Sequence, residues 1–105
     1  CKGKGFDTFC PLGPAIVSKD EVPAPEELRI ITKVNGTVEQ DESVSQMCFS
    51  VPQLIAFLSA GHTLNPGDLI LTGTPPGARF MDAGETVEIE IPGIGKLTNP
   101  VEEEK

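Results

Sequence analysis

Apolar positions along this chain come in short runs broken by glycine, proline and acidic residues, and their period changes from one run to the next. From Glu85 to Ile91 they alternate, with Val87, Ile89 and Ile91 on one side and Glu88 and Glu90 on the other, which predicts a strand with one wet face. Pro92-Gly93 turns the chain into Ile94 to Leu97, a final pairing strand. Leu28 to Val34 is β-favouring, Asn35-Gly36 is the strongest short hairpin signal, and Thr37 to Glu39 resumes the extended pattern. A hairpin is predicted there, with Arg29 and Ile31 facing away from Ile30, Thr32 and Val34. Gln40 to Gln46 is polar.

A 3.6-residue period appears once. Ser50 with Gln53 fits a capping box, Pro52 is allowed in a first turn, and Gln53 to Ala60 supplies helix-favouring residues before Gly61. Leu54, Ile55 and Leu58 share a face that Phe57 extends, and that face is expected to pack on a sheet. Asn65-Pro66-Gly67-Asp68 is a turn that launches Leu69-Ile70-Leu71, read as a buried strand opening into the loop Thr72 to Gly77. Asp82-Ala83-Gly84 is another turn. Before residue 28, Lys2 to Phe9 reads as an extended strand or loop, Ala15-Ile16-Val17 as a short strand, and Glu21 to Glu27, with Pro23 and Pro25, as an exposed loop. Val101 to Lys105 is a charged end expected to fray. The pattern is mostly β, a mixed β arrangement with one or two short helices, without internal repeats.

Length and charge narrow the classes. The chain has 105 residues, enough for one domain, and 16 Asp/Glu against 8 Lys/Arg give a formal charge of -8. That balance argues against nucleic acid and anionic membrane as partners, because both attract clustered cations. The longest apolar stretch, Leu54 to Ala60, is far too short to cross a bilayer. Cys1, Cys10 and Cys48 are odd in number and share no metal-ligand spacing, so a reduced, cytoplasmic protein is expected, with Cys10 and Cys48 as buried thiols.

Chemistry concentrates in a few places. Glu88 and Glu90 point to one side of a strand, the right local geometry for a divalent cation, yet Glu-x-Glu on an alternating strand is also ordinary surface pattern. Glu39, Asp41 and Glu42 are polar residues near a turn, and Glu102 to Glu104 are solvated. Lys4, between Gly3 and Gly5, has the charge to meet a carboxylate or an enolate oxygen, and in an extended stretch Thr8 shares its face. Thr72, Gly73 and Thr74 form the better cluster, either an anion nest with hydroxyl donors or a turn that satisfies its own backbone. The loop lacks the Gly-Lys-Thr/Ser of a nucleotide-binding loop. His62 caps the helix end and has no adjacent acid to orient it as a base.

The run Lys4-Gly5-Phe6-Asp7-Thr8-Phe9-Cys10-Pro11-Leu12-Gly13-Pro14 resembles the fumarylacetoacetate hydrolase family, in its bacterial branch of hydroxymuconate and hydroxyheptadienedioate isomerases. Further motifs follow in family order: Val34-Asn35-Gly36 with Gln40, then Met47-Cys48-Phe49-Ser50 with Leu54-Ile55, then Leu64 to Asp68 with Leu71-Thr72-Gly73-Thr74-Pro75. Gly93-Ile94-Gly95 and Asn99-Pro100-Val101 complete the series, so the resemblance spans nearly the whole chain.

The resemblance implies a mostly β fold around a Mg2+ or Mn2+ pocket, commonly a homodimer, acting on small 2-oxo or 1,3-dicarbonyl acids by hydrolysis, isomerisation, hydration or decarboxylation. It implies that Lys4 approaches a substrate oxygen, that Thr8 lines the site, and that Thr74 contacts substrate while Thr72 and Gly73 shape the loop. The family's Glu-x-Glu and Asp metal ligands and its His-Glu acid/base pair lie upstream of the Lys4 segment and have no counterpart here. The chain thus resembles only the carboxyl-terminal part of one catalytic domain, over residues 1–105, an incomplete version of the family fold. Glu88 and Glu90 are then a decoy, and the metal side is expected from a missing amino-terminal portion or a complementary chain. The alternative is a non-catalytic binding or structural module. The first account predicts an open apolar surface; a module should close its own edges.

Overall fold

Four antiparallel strands carry the fold: β1 (Arg29–Val34), β2 (Thr37–Ser43), β3 (Thr86–Ile91) and β4 (Gly95–Pro100), hydrogen-bonded in the order β2-β1-β3-β4. The computed structural model describes residues 3–22 and 24–103; the readings placed on Cys1, Lys2, Pro23, Glu104 and Lys105 lie outside the described residues. One helix, α1 (Val51–Ser59), and two short 3-10 turns at Pro25–Glu27 and Val44–Gln46 complete the regular structure. The mostly β fold class is as the sequence indicates.

The hairpin turns at Asn35 and Gly36, with φ of 49° and 82°, the paired positive angles that match the twist of two-residue hairpins. Its second strand is longer than the alternation indicates and runs on to Ser43, because Asp41 and Glu42 pair with Ile31 and Ile30. Glu39 interrupts the ladder. Thr32 pairs with Gln40 and Lys33 with Val38, so Glu39 is the extra residue of a bulge.

The registers sort side chains onto two faces. Gln40, Thr32, Ile89 and Leu97 are successive cross-strand partners and form one transverse row. On the opposite face, Lys33 lies 3.5 Å from Glu88 and 3.6 Å from Glu90, and Lys96 lies 3.0 Å from Glu88. Arg29 bonds Asp41 on that same face. The first face is mainly apolar, with Gln40 in the middle of β2; the second carries the paired charges.

The capping box of α1 is complete. The Ser50 hydroxyl accepts from the Gln53 amide, and the Gln53 side chain accepts from the Ser50 amide at 2.8 Å. The expected packing of its apolar face onto the sheet does not occur. Leu54 and Leu58 are half-buried, whereas Ile55 is exposed and Phe57 is 80% exposed, because Leu58 meets the Leu69-Ile70 stretch rather than a strand.

Other expectations fail for a shared reason. Leu69-Ile70-Leu71 is not a strand: no described segment pairs with it, and Leu69 and Leu71 are 62% and 57% exposed. Ala15-Ile16-Val17 is likewise unpaired, with Ile16 97% exposed. Cys48 is exposed and Cys10 half-buried, where buried thiols were expected. Among the described residues only Val34 and Gln40 are buried. Apolar sequence thus outruns the surface available to cover it.

Candidate functional site

The loop after Leu71 is held to the sheet by a single amide. Gln40, 7% exposed on β2, donates through Nε2 to the Thr74 hydroxyl at 2.9 Å and to the Pro75 carbonyl at 2.6 Å. The Thr74 hydroxyl has an acceptor in Gln40 Oε1 at 3.3 Å. Two residues past Pro75 the backbone presses on the bulge: a Cβ at Gly77, whose φ is 98°, would stand inside contact distance of the Glu39 carbonyl oxygen. The bulge at Glu39 thus creates the seat for the loop, and glycine is required where loop and sheet meet.

Arg79 closes the far end. Its Nε donates to Glu39 at 3.1 Å, and its two terminal nitrogens donate to both Glu85 oxygens at 3.1 and 2.7 Å, a bidentate pair. Arg79, with the Asp82 amide behind it, holds the Glu85 carboxyl below its ordinary value of 4.5. Sequence reading missed Gln40, Glu39, Arg79 and Glu85 as a set. The signal was faint: an Asn-Gly hairpin followed by one glutamine in a polar stretch gives no hint of a partner 34 residues away.

Thr74 and Thr72 are exposed, and Gly73 turns between them with φ of 95° and nothing within 4 Å of a Cβ. Thr74 is thus an exposed residue on an anchored loop, with its hydroxyl oxygen against Gln40. Lys4 is also exposed, in a turn. Thr8 does not share an extended face with Lys4, as the sequence suggests. Phe6 to Phe9 forms a turn closed by a 3.1 Å bond from the Phe9 amide to the Phe6 carbonyl, with the Phe6 and Phe9 rings 5.4 Å apart. Thr8 takes a φ of 68° within it, a conformation costly for a β-branched residue.

The Gly13-Pro14 corner, downstream of Lys4, reaches the same sheet face as the Thr74 loop, at the other edge. A Cβ on Gly13 would lie 3.7 Å from Leu97, and one on Gly95 would lie 2.9 Å from Pro14, so the Gly13-Pro14 corner sits on β4. Thr74 hangs from one end of the Gln40, Thr32, Ile89, Leu97 row and the Gly13-Pro14 corner sits at the other, the row itself spanning about 14 Å at the usual strand spacing. No hydrogen bond joins the two segments among the described residues.

The described residues do not assemble a metal-ligand set. Among the described residues no group of three or more His, Cys, Asp or Glu converges. Glu88 and Glu90 lie on the charged face, opposite the Thr74 loop, and are neutralised by Lys33 and Lys96. Lys96 lowers the Glu88 carboxyl below its ordinary value. The exposed His62 closes α1 through its backbone amide, which bonds the Leu58 carbonyl at 3.1 Å.

Comparison with known proteins bears on the family of the chain. A family model described as "Fumarylacetoacetate (FAA) hydrolase C-terminal" matches residues 1–102. The mitochondrial oxaloacetate tautomerase fahd2 of Xenopus laevis is 49% identical over 94% of this chain, which spans 33% of that protein. The crystal structure of 5-carboxymethyl-2-hydroxymuconate delta-isomerase from Mycobacterium smegmatis superposes with a TM-score of 0.89 at 46% identity, covering 98% of this chain and 40% of that one. Maleylpyruvate hydrolase from Sphingobium, solved with manganese(II) and pyruvate, superposes with a TM-score of 0.91 at 36% identity, covering 95% and 38%. The chain spans about a third of the length of the curated relatives it matches.

Proposed function

The chain belongs to the fumarylacetoacetate hydrolase family, matching its carboxyl-terminal portion, and on that premise we propose that it forms one wall of an enzyme pocket for small 2-oxo or 1,3-dicarbonyl acids. The observation that carries the reading is the Gln40–Thr74 pair, which fixes a threonine hydroxyl over the sheet face that also seats the Gly13-Pro14 corner. The opposite wall, with the Mg2+ or Mn2+ ligands, is supplied by an upstream portion of the polypeptide or by a second chain, and the assembled unit is a homodimer. A manganese- and pyruvate-bound relative supports a divalent ion in that assembly.

Within this chain the roles are electrostatic. Lys4 brings an ammonium on a glycine-flanked segment to the oxygen that gains charge as the substrate becomes enolate-like. Thr74 donates its hydroxyl hydrogen to a substrate carboxylate or carbonyl oxygen, Thr72 and Gly73 give the loop its turn, and Thr8 lines the Lys4 side. Whether the enolate-like state then shifts a proton, takes water or loses carbon dioxide is set by the other wall. A non-catalytic module is disfavoured by the exposed Leu69, Leu71 and Phe80, which such a module would cover.

The test is the assembled enzyme with Mg2+ or Mn2+, assayed on oxaloacetate enol–keto conversion and on acylpyruvate cleavage. Lys4→Ala is expected to lower kcat/KM about a hundredfold on the preferred acid. Unchanged kcat/KM on every such acid overturns the assignment.

A further inference from the structure

We propose that Gln40 is a positioning residue that turns the Thr74 hydroxyl into a donor for an anionic substrate oxygen. The inference rests on the reading of Thr74 as a substrate contact. It starts from an assignment that the surroundings force. The Pro75 carbonyl can only accept, so the Gln40 amide atom 2.6 Å from it must be the nitrogen. That nitrogen has two hydrogens, and both are spent, one on Pro75 and one on the Thr74 hydroxyl at 2.9 Å.

The consequence falls on Thr74. A hydroxyl has one hydrogen and two lone pairs, and a lone pair already receives the Gln40 hydrogen. Its own hydrogen has only Gln40 Oε1, at 3.3 Å, beyond the usual range for an O–H···O bond. The same amide plane cannot both donate to and accept from one hydroxyl with good geometry. The hydrogen is therefore loosely held and turns outward to a carboxylate or enolate oxygen, where a charge-assisted bond is shorter and stronger. Gln40 is 7% exposed and does not reach the substrate itself. Its amide also fixes the loop backbone through Pro75, so Thr74 donates from a set position rather than a wandering one.

The experiment uses the assembled enzyme with oxaloacetate as substrate and compares Gln40→Met, Gln40→Glu, Thr74→Val and the double variant Gln40→Met/Thr74→Val, with melting curves for each. Thr74→Val and Gln40→Met should each lower kcat/KM about tenfold, mostly through KM, and the double variant should lose little more than either alone. Gln40→Glu should bind poorly near neutral pH, because its carboxylate draws the Thr74 hydrogen inward, and should regain affinity as the pH falls and the carboxyl becomes a donor again. Because Gln40 also donates to the Pro75 carbonyl, a merely structural role would recover in acid as well, but with a parallel recovery of melting temperature; the positioning role shows as a change in KM at a melting temperature that does not follow it. If Thr74→Val leaves KM unchanged, the reading of the site fails. If Thr74→Val raises KM while Gln40→Met does not, or the two losses add in full, or Gln40→Glu shows no recovery in acid, the inference fails and the reading stands. Loss of folding in both Gln40 variants makes Gln40 a folding residue and likewise overturns it.

Discussion

Gln40 and Leu97 stand at the two ends of one cross-strand row, Gln40 bonded to the Thr74 loop and Leu97 against Gly13. Thr32 and Ile89 are the floor between them. Two segments far apart in sequence are thereby placed over one face, with no hydrogen bond between them among the described residues.

That relationship predicts paired effects from two glycines. Gly77→Ala forces the loop off the Glu39 carbonyl, and Gly95→Ala pushes Pro14 away from β4. If both segments act on one ligand, each variant raises KM for the preferred oxo acid in the assembled enzyme, with the larger effect for Gly77, where the added Cβ meets the Glu39 backbone carbonyl rather than a proline ring; both glycines have positive φ. Steady-state kinetics on both variants check this. An effect from only one of them means that the segments do not serve a common pocket.

Acid should loosen the loop from its far end. Glu85 is held below its ordinary value of 4.5 chiefly by Arg79, so the bond is intact above that value and its contribution disappears as the pH falls through the lowered one. Arg79 is charged throughout and adds no pH dependence of its own. Asp41, lowered by Arg29, and Glu88, lowered chiefly by Lys96, act in the same direction. The expected outcome is a melting temperature that drops below about pH 4.5, and an Arg79→Gln variant that melts lower than the parent at pH 7 but converges on it in acid. A gap that stays constant from pH 7 to pH 3 contradicts the assignment.

Local rules made much of the fold legible. Asn35-Gly36, the alternation of Glu85 to Ile91, the Pro92-Gly93 turn and the Ser50/Gln53 box each encode an element through contacts within a few residues, and all four elements stand; the expected wet face of the Glu85 to Ile91 strand does not, since Glu88 and Glu90 are half-buried beside Lys33 and Lys96 while Ile89 is exposed. Leu69-Ile70-Leu71 and Phe57 misled because an apolar run states that burial is needed, not what provides it. The same limit hid the site's support. Thr74 was visible as a hydroxyl in a loop, but its anchor depends on register between β1 and β2 and on a bulge at Glu39, neither of which has a local signature. Thr8 was placed by assuming an extended chain where a turn with φ of 68° intervenes.

Glu88 and Glu90 should prove irrelevant to metal use. They sit on the face away from Thr74, each within 4 Å of Lys33 and Lys96. In the assembled enzyme, Glu88→Gln/Glu90→Gln is expected to leave the metal concentration for half-maximal activity within twofold of the parent. Its melting temperature falls slightly, because Lys33 and Lys96 are left facing each other without counter-charge. Titration of Mg2+ or Mn2+ into apo-enzyme decides it, and a tenfold weaker metal requirement would return these carboxylates to the site.

The exposed apolar surface carries its own prediction. The chain presents 8477 Å² to solvent, whereas a folded monomer of 11.1 kDa presents about 5,700 Å². The radius of gyration, 15.0 Å, likewise exceeds the roughly 13 Å of a compact domain of this length. The excess of about 2,800 Å² is the size of an obligate interface rather than a transient one, and Phe57, Leu69, Leu71 and Phe80 lie within it. Expressed alone, the 105-residue chain should bind an apolar fluorescent dye, self-associate on gel filtration and unfold without a sharp transition. Joined to, or co-expressed with, the upstream portion of a family member, it should lose dye binding and melt cooperatively. Phe57→Ser with Leu69→Ser should reduce dye binding by the isolated chain and weaken the joined form, since the same side chains are exposed in one and covered in the other. A sharp, dye-free transition for the chain alone would show that it closes its own surface, and the two-wall account of the pocket would have to be abandoned.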